Sequence, residues 1–228
     1  MIKHKDNYWS FTRQCLLCQL HPAQPYLCQA CYNDLPWLEH RCPYCALPRE
    51  LDSPQPCGHC QQTPPLWQQI QAACHYDFPV NELISRAKYQ QQLHFIPLLA
   101  ELLLDAIPPD QRQVDLIIPV PMDQQKLRTR RVNHALLLAK QLGKVLDIPV
   151  ADHCLHKVRH TGQQKDLSRR QRQQNLKNSF AVRGSLPARI AVVDDVMTTG
   201  ATLAEITGLL LRHQVKEVVG WVVARTDA

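Results

Sequence analysis

A chain of 228 residues can hold one α/β domain of ordinary size plus a small appendage, and its formal charge of +6 alone does not mark a nucleic-acid binder. No apolar run approaches the roughly 20 residues a membrane-spanning helix needs, and Met1 to Asn7 lack the apolar segment of a signal peptide. No membrane insertion and a cytoplasmic location are therefore expected.

Residues 1–65 carry eight of the ten cysteines, in the pairs Cys15/Cys18, Cys28/Cys31, Cys42/Cys45 and Cys57/Cys60, with nine, ten and eleven residues between successive pairs. In a cytoplasmic chain such CxxC pairs favour metal over disulfides. Each pair can offer two sulfurs to one tetrahedral ion from a tight turn, and two pairs close a four-cysteine site with no position left for catalytic water. The predicted sites are structural and consecutive: Cys15, Cys18, Cys28 and Cys31 for one Zn²⁺, and Cys42, Cys45, Cys57 and Cys60 for the other. Spacing alone also admits an interleaved arrangement. Nine prolines and few apolar residues leave this segment without a core, so metal is expected to supply much of its folding free energy. Two zinc ions held by eight thiolates would lower the net charge to about +2. His59 reads as exposed.

Thr63-Pro64-Pro65 reads as a linker, which divides the chain into 1–65 and 66–228. Beyond it, Ile70 to Tyr76 reads as a short strand with Cys74 as a buried small hydrophobe. Val80 to Tyr89 and Phe95 to Ile107 carry apolar residues at helical spacing, and Pro108-Pro109 ends the second helix. Lys88 and Tyr89 fall on what reads as a solvated helix face, an approach to a ligand being the alternative. Val114 to Met122 is a buried-type strand ending in Pro119-Val120-Pro121. Lys126, Arg128, Arg130 and Arg131 follow and suit an anion, a solvated charge run before the helix Asn133 to Leu146 being the plainer alternative. Residues 156–189 hold nine Lys/Arg against the single acid Asp166. This stretch could neutralise a pyrophosphate or track a nucleic-acid backbone, but only Phe180 is near enough to stack on a base. The spacing of His153, Cys154, His156 and His160 matches no tight metal site.

The most informative stretch is Arg189 to Thr202. Ile190-Ala191-Val192-Val193 reads as a strand buried on both faces; Asp194-Asp195 ends it, and a Thr/Gly-rich turn leads into a helix. Backbone N–H groups at such a turn and helix start attract an anion. Thr198, Thr199 and Thr202 add hydroxyls, and Gly200 lets the backbone approach a phosphate. Two carboxylates repel phosphate but suit ribose hydroxyls or a magnesium ion bridging to the ligand. A ribose 5-phosphate fits both halves. Val218 to Arg225 closes the sheet, and the alternation of strands and helices from residue 114 onward predicts parallel strands with right-handed crossovers.

Val192-Val193-Asp194-Asp195-Val196-Met197-Thr198-Thr199-Gly200-Ala201-Thr202 resembles the phosphoribosyl-pyrophosphate (PRPP) motif of type I phosphoribosyltransferases. The match implies Asp194 and Asp195 on the ribose hydroxyls with Mg²⁺, and Met197 to Thr202 around the 5-phosphate. It also implies that Val120, Pro121, Met122 and Arg128 belong to a pyrophosphate loop, and that Lys157, Arg159, Arg169 and Arg172 belong to a mobile loop closing over PRPP. The whole chain resembles the ComF/GntX family, a double zinc ribbon followed by a type I phosphoribosyltransferase-like domain. This wider likeness runs through Ile118-Pro119-Val120-Pro121, Thr161-x-x-Gln164, Leu167-Ser168-Arg169 and Arg172-x-x-Asn175-Leu176. One departure is local. Where the family commonly has Arg-Gly-Phe-Asn-Gln, this chain has Arg130-Arg131-Val132-Asn133-His134, which removes backbone freedom beside the expected pyrophosphate loop. The resemblance implies a role in DNA uptake, competence or the use of external DNA, with single-stranded DNA and uptake proteins as partners. It also implies PRPP or a related ribose 5-phosphate compound as ligand. The alternative is an active phosphoribosyltransferase that joins PRPP to an acceptor and releases pyrophosphate.

Overall fold

A computed structural model describes residues 14–51, 53–123, 127–128, 131–158 and 178–227. Four strands form one fully parallel sheet: β1 (Gln69–His75), β2 (Leu116–Pro119), β5 (Arg189–Met197) and β6 (Glu217–Arg225), in the order β1-β6-β5-β2. Their near-continuous apolar runs are what a sheet covered on both faces requires. Ile190 to Val193 and Trp221 to Ala224 are buried.

One face is covered by α4 (Ile96–Ala106) and α5 (His134–Leu146), which pack on each other as well as on the strands. Leu99, Leu102 and Leu103 of α4 and Leu138 and Leu142 of α5 are almost fully buried. The helix Val80–Tyr89, α3, precedes them, its buried Val80, Leu83, Ile84 and Ala87 matching the helical spacing. The other face packs against α6 (Ala201–Arg212) through Leu203, Ile206 and Leu210, in one core with Ile70, Val192 and Val218. Gly220 makes this approach possible: a Cβ there would lie 2.5 Å from Ile70 Cδ1 and 2.7 Å from a Leu203 methyl.

Both outer edges of the sheet are covered, which removes the hazard of unpaired strand edges. Leu38 N–H donates to the Ala73 carbonyl and His75 N–H to that of Pro36 along β1. At the other edge, Ile117 N–H donates to the Pro149 carbonyl and Ala151 N–H to that of Ile117. A short antiparallel pair, β3 (Leu155–Lys157) with β4 (Phe180–Val182), was not legible in the sequence, because three-residue strands carry no readable period. Leu167 to Leu176, which by its composition reads as a polar helix, lies outside the described residues.

By compactness the chain divides between Leu35 and Pro36. The first unit contains α1 (Gln29–Asn33), which buries no residue. The second contains everything else, so α2 (Gly58–Gln62) and the cysteines from Cys42 to Cys60 belong with the sheet. The linker-based division at residue 65 follows sequence motifs; the division by packing comes thirty residues earlier. No helix among the described residues is long and apolar enough to cross a membrane.

Candidate functional site

The site lies where β5 ends and α6 begins. Gly200, the residue capping α6, has φ of +75°, the left-handed region that suits glycine. A Cβ there would also come within 2.6 Å of Met197 Cε and 3.3 Å of the Trp67 ring. Thr199 Oγ1 accepts from the Ala201 amide at 3.4 Å, and Gly200 itself has no side chain to offer the helix. Amides at the start of α6 therefore face a small cavity lined by Asp194, Val196 and Met197 to Leu203. A helix N-terminus of this kind can offer its free amides to an anion.

A second cavity, of about 200 Å³, meets the first at Val120, Asp194 and Thr202. Asp195 lies in it, and Lys88 Nζ sits 2.8 Å from Asp195 Oδ1, with both side chains only 15% exposed. The solvated-face reading of Lys88 is thus corrected. Helix α3 ends against the site, and its last basic residue points into the cavity. His134 holds it there: its Nε2–H donates to the Ala87 carbonyl at 2.8 Å, and His134 is 2% exposed. The Asp195 backbone N–H in turn donates to Asp194 Oδ1 at 2.9 Å, which orients the Asp194 carboxylate.

Val120, Pro121 and Met122 line the same cavity, as does Lys157. Asn133 pins this wall from two sides, capping α5 by accepting from Ala135 N–H at 3.1 Å and donating to the Val120 carbonyl at 3.0 Å. Arg128 is exposed and does not line it. Arg131 adopts φ of +62°, so the left-handed backbone that glycine would suit is present here with an arginine. Lys126 and Arg130, and Arg159, Arg169 and Arg172 of the predicted mobile loop, lie outside the described residues.

Two cysteine clusters are present among the described residues. Cys15, Cys18, Cys28 and Cys31 form one and Cys42, Cys45, Cys57 and Cys60 the other, with sulfurs in each within 4.8 Å of one another. The sets are consecutive, not interleaved. Tetrahedral Zn–S bonds of about 2.3 Å require sulfurs about 3.8 Å apart. Cys18 and Cys28 are 3.8 Å apart, and Cys45 and Cys57 3.7 Å. Both clusters could hold zinc.

The two clusters are built alike. The residue after each first pair, Gln19 and Ala46, has positive φ, and the second pair of each opens a single helical turn, α1 or α2. Burial pushes the leading thiols up, but backbone N–H donors outweigh it, holding Cys15 at about 6 and Cys42 at about 7. One such donor is the Cys57 amide, 3.3 Å from Cys42 Sγ. Burial first, and then the neighbouring sulfurs, push Cys31 up to about 12 and raise Cys60 as well. Four thiolates coexist at such spacing only around a cation. The other two cysteines behave differently. Cys74 is buried in β1 with its thiol pushed up to about 12 by desolvation, and burial likewise raises Cys154.

Fold and site together define an α/β protein: a parallel sheet with a carboxylate pair and a glycine-capped helix start at its carboxyl edge, preceded in sequence by two four-cysteine modules. No protein-family model matches the chain. It is 36% identical over 230 residues to competence protein F of Haemophilus influenzae, covering 96% of this chain and 99% of that protein. It is 34% identical over 220 residues to DNA utilization protein YhgH of Escherichia coli K12, covering 93% and 96%. The chain belongs to the competence protein F (ComF) family. Among solved structures, a purine phosphoribosyltransferase from Pyrococcus horikoshii aligns over 61% of this chain and 85% of its own, at 20% identity and a TM-score of 0.34.

Proposed function

We propose that this chain is a cytoplasmic ComF-type protein that binds PRPP, or another ribose 5-phosphate compound, together with Mg²⁺, and acts in DNA uptake or the use of external DNA. The observation that carries the ligand is the join of β5 to α6. A carboxylate pair and a glycine-capped anion loop stand side by side, and their cavities meet at Asp194 and Thr202. In this reading Thr198 to Thr202 and the first amides of α6 take the 5-phosphate. Asp194 and Asp195 take the ribose hydroxyls, and Val120 to Met122 line the pyrophosphate end. Mg²⁺ would supply charge neutralisation between the carboxylates and the pyrophosphate. Lys88 holds the charge of Asp195 until a ligand arrives. The role in DNA rests on likeness to proteins named for competence and DNA utilization. Single-stranded DNA and uptake proteins are the partners this implies.

Transferase activity is the second reading, favoured by the room beyond Asp194 for a pyrophosphate next to the phosphate cradle. Such chemistry needs orientation and charge stabilisation of an oxocarbenium-like centre rather than a protein nucleophile.

The test is calorimetric titration of the zinc-loaded protein with PRPP and Mg²⁺, beside Asp194→Asn/Asp195→Asn and beside a single-stranded oligonucleotide. Saturable PRPP binding that disappears in the double variant with its circular dichroism unchanged supports the pocket. Equal affinity in the two proteins would refute it. Pyrophosphate release on adding candidate acceptors separates transferase from accessory.

A further inference from the structure

We propose that the second cysteine cluster is coupled to the phosphate loop through two buried positioning residues, Arg225 and Trp67, so that metal at Cys42, Cys45, Cys57 and Cys60 and a ribose 5-phosphate ligand tighten each other's binding. This inference rests on the proposed phosphate site and adds to it a regulatory input from the metal.

Arg225 is the last residue of β6 and only 3% exposed. Its Nε donates to the Cys45 carbonyl at 3.2 Å, inside the metal knuckle. Its Nη1 donates to the carbonyls of Met197, at 3.2 Å, and Thr198, the first residues of the phosphate loop. One planar guanidinium thus joins the backbone of a metal ligand to the backbone of the anion cradle. The fork holds both groups at fixed distances, which a lysine's single ammonium cannot do.

Trp67 makes the second connection. Its Nε1–H donates to the Tyr44 carbonyl at 2.9 Å, between Cys42 and Cys45. Its ring stands 3.3 Å from where a Cβ on Gly200 would lie, so it backs the residue that opens α6. The knuckle is itself anchored to the sheet. Arg41 donates to the Ala72 carbonyl and to Gln71 Oε1, each at 2.8 Å, and Ile70 N–H donates to the Tyr44 carbonyl at 3.0 Å. A cleft of about 250 Å³ remains between knuckle and loop, bordered by Leu47, His59, Pro65, Met197 and Ala204, so these two side chains carry the connection across a gap.

Metal fixes the Tyr44–Cys45 turn, and the turn fixes the two side chains that back the loop. Loss of metal frees the turn, and the loop must then be ordered at the expense of ligand binding. Linkage requires the reverse effect by the same factor. Both of these contacts run from the second cluster, so the effect is assigned to that cluster.

The experiment measures chelator-driven exposure of each cysteine in the full zinc-loaded chain. Alkylation is quantified peptide by peptide, with and without saturating ribose 5-phosphate and Mg²⁺. Calorimetry on the same samples confirms that the probe is bound. Alkylation of Cys42, Cys45, Cys57 and Cys60 should slow by a factor of about 5 to 150, the usual range of coupling between sites. Alkylation of Cys15, Cys18, Cys28 and Cys31 should not change. Arg225→Lys and Trp67→Phe should each retain zinc and reduce that protection by roughly threefold or more. Bound probe with no protection of the second cluster would overturn the coupling and leave the phosphate site standing. Absence of binding heat in the wild type would overturn both. Because the central comparison uses wild-type protein, a variant that fails to fold does not decide it.

Discussion

The two cysteine knuckles share CxxC pairs, turn geometry and a leading thiol with a lowered pKa, yet they sit in different physical surroundings. The first belongs to a unit ending at Leu35, with Cys18 and Cys31 half-buried and Leu20 79% exposed. All four sulfurs of the second are buried, in one core with Ile70, Val192 and Leu203. The same local motif is therefore a self-contained fold in one place and part of the sheet's covering layer in the other. Metal ligation sets local geometry; burial against a sheet decides how far the consequence of losing the metal spreads.

The largest effect should come from breaking the second knuckle. Structural zinc contributes about 10 kcal/mol or more in small peptides, comparable with the roughly 5–15 kcal/mol that holds a typical domain folded. Cys42→Ser/Cys57→Ser should lose one zinc per chain by elemental analysis and lower the midpoint of the thermal transition of residues 36–228. Cys15→Ser/Cys28→Ser should also lose one zinc but leave that transition in place. If the two variants melted alike, the distinction between the knuckles would fail.

A smaller effect is expected at the loop that the second knuckle backs. Gly200→Ala places a methyl at φ +75° beside Trp67 and Met197. The left-handed backbone costs about 1–2 kcal/mol for a residue with a Cβ. The expected outcome is roughly tenfold weaker ribose 5-phosphate binding by calorimetry, with zinc content unchanged.

Two further changes lie outside both knuckles and set the lower limit of the comparison. Asp115 pairs with Arg189 at the opposite end of the strands, 3.0 Å apart, and that hydrogen bond holds its carboxyl below the usual carboxylate range. A depressed folded-state pKa contributes stability that is present above the unfolded value of about 3.9 and lost as pH falls through the folded value. Urea midpoints should therefore converge for wild type and Asp115→Asn as pH drops below about 4, the wild type being the more stable above it. Phosphate binding at neutral pH should not differ. Smallest of all, Arg131→Gly relieves the positive φ of an exposed residue and should raise stability by up to about 1 kcal/mol, read from the thermal midpoint.

Most of the sheet and the turn that opens α6 were legible because their determinants are contiguous. Ile190 to Thr202 states strand, carboxylates, turn and helix in one line of sequence, but Asp194-Asp195 do not end the strand: pairing with β6 carries β5 on to Met197. Helix α3 falls on Val80–Tyr89 as its apolar spacing predicts, and α5 starts after Asn133, whose side chain caps it. The pairing of cysteines was legible only as a preference, since spacing admits two arrangements and geometry shows the consecutive one. Lys88 was misread because its partner Asp195 lies on another element, and helical spacing says nothing about what stands opposite a polar face.

By itself the sequence determined what local chemistry can state: which runs are buried strands, which turn opens a helix on a left-handed glycine, and which cysteines form pairs. Apolar periodicity, glycine at a left-handed position and CxxC spacing all act over a few residues. Tertiary structure alone decided which side chains meet across the fold: Lys88 against Asp195, His134 under α3, and Arg225 between Cys45 and Met197. The Arg225–Cys45 contact spans 180 residues, and no local pattern encodes a partner at that distance. Only closing the parallel sheet and packing the second knuckle against it brings those groups together.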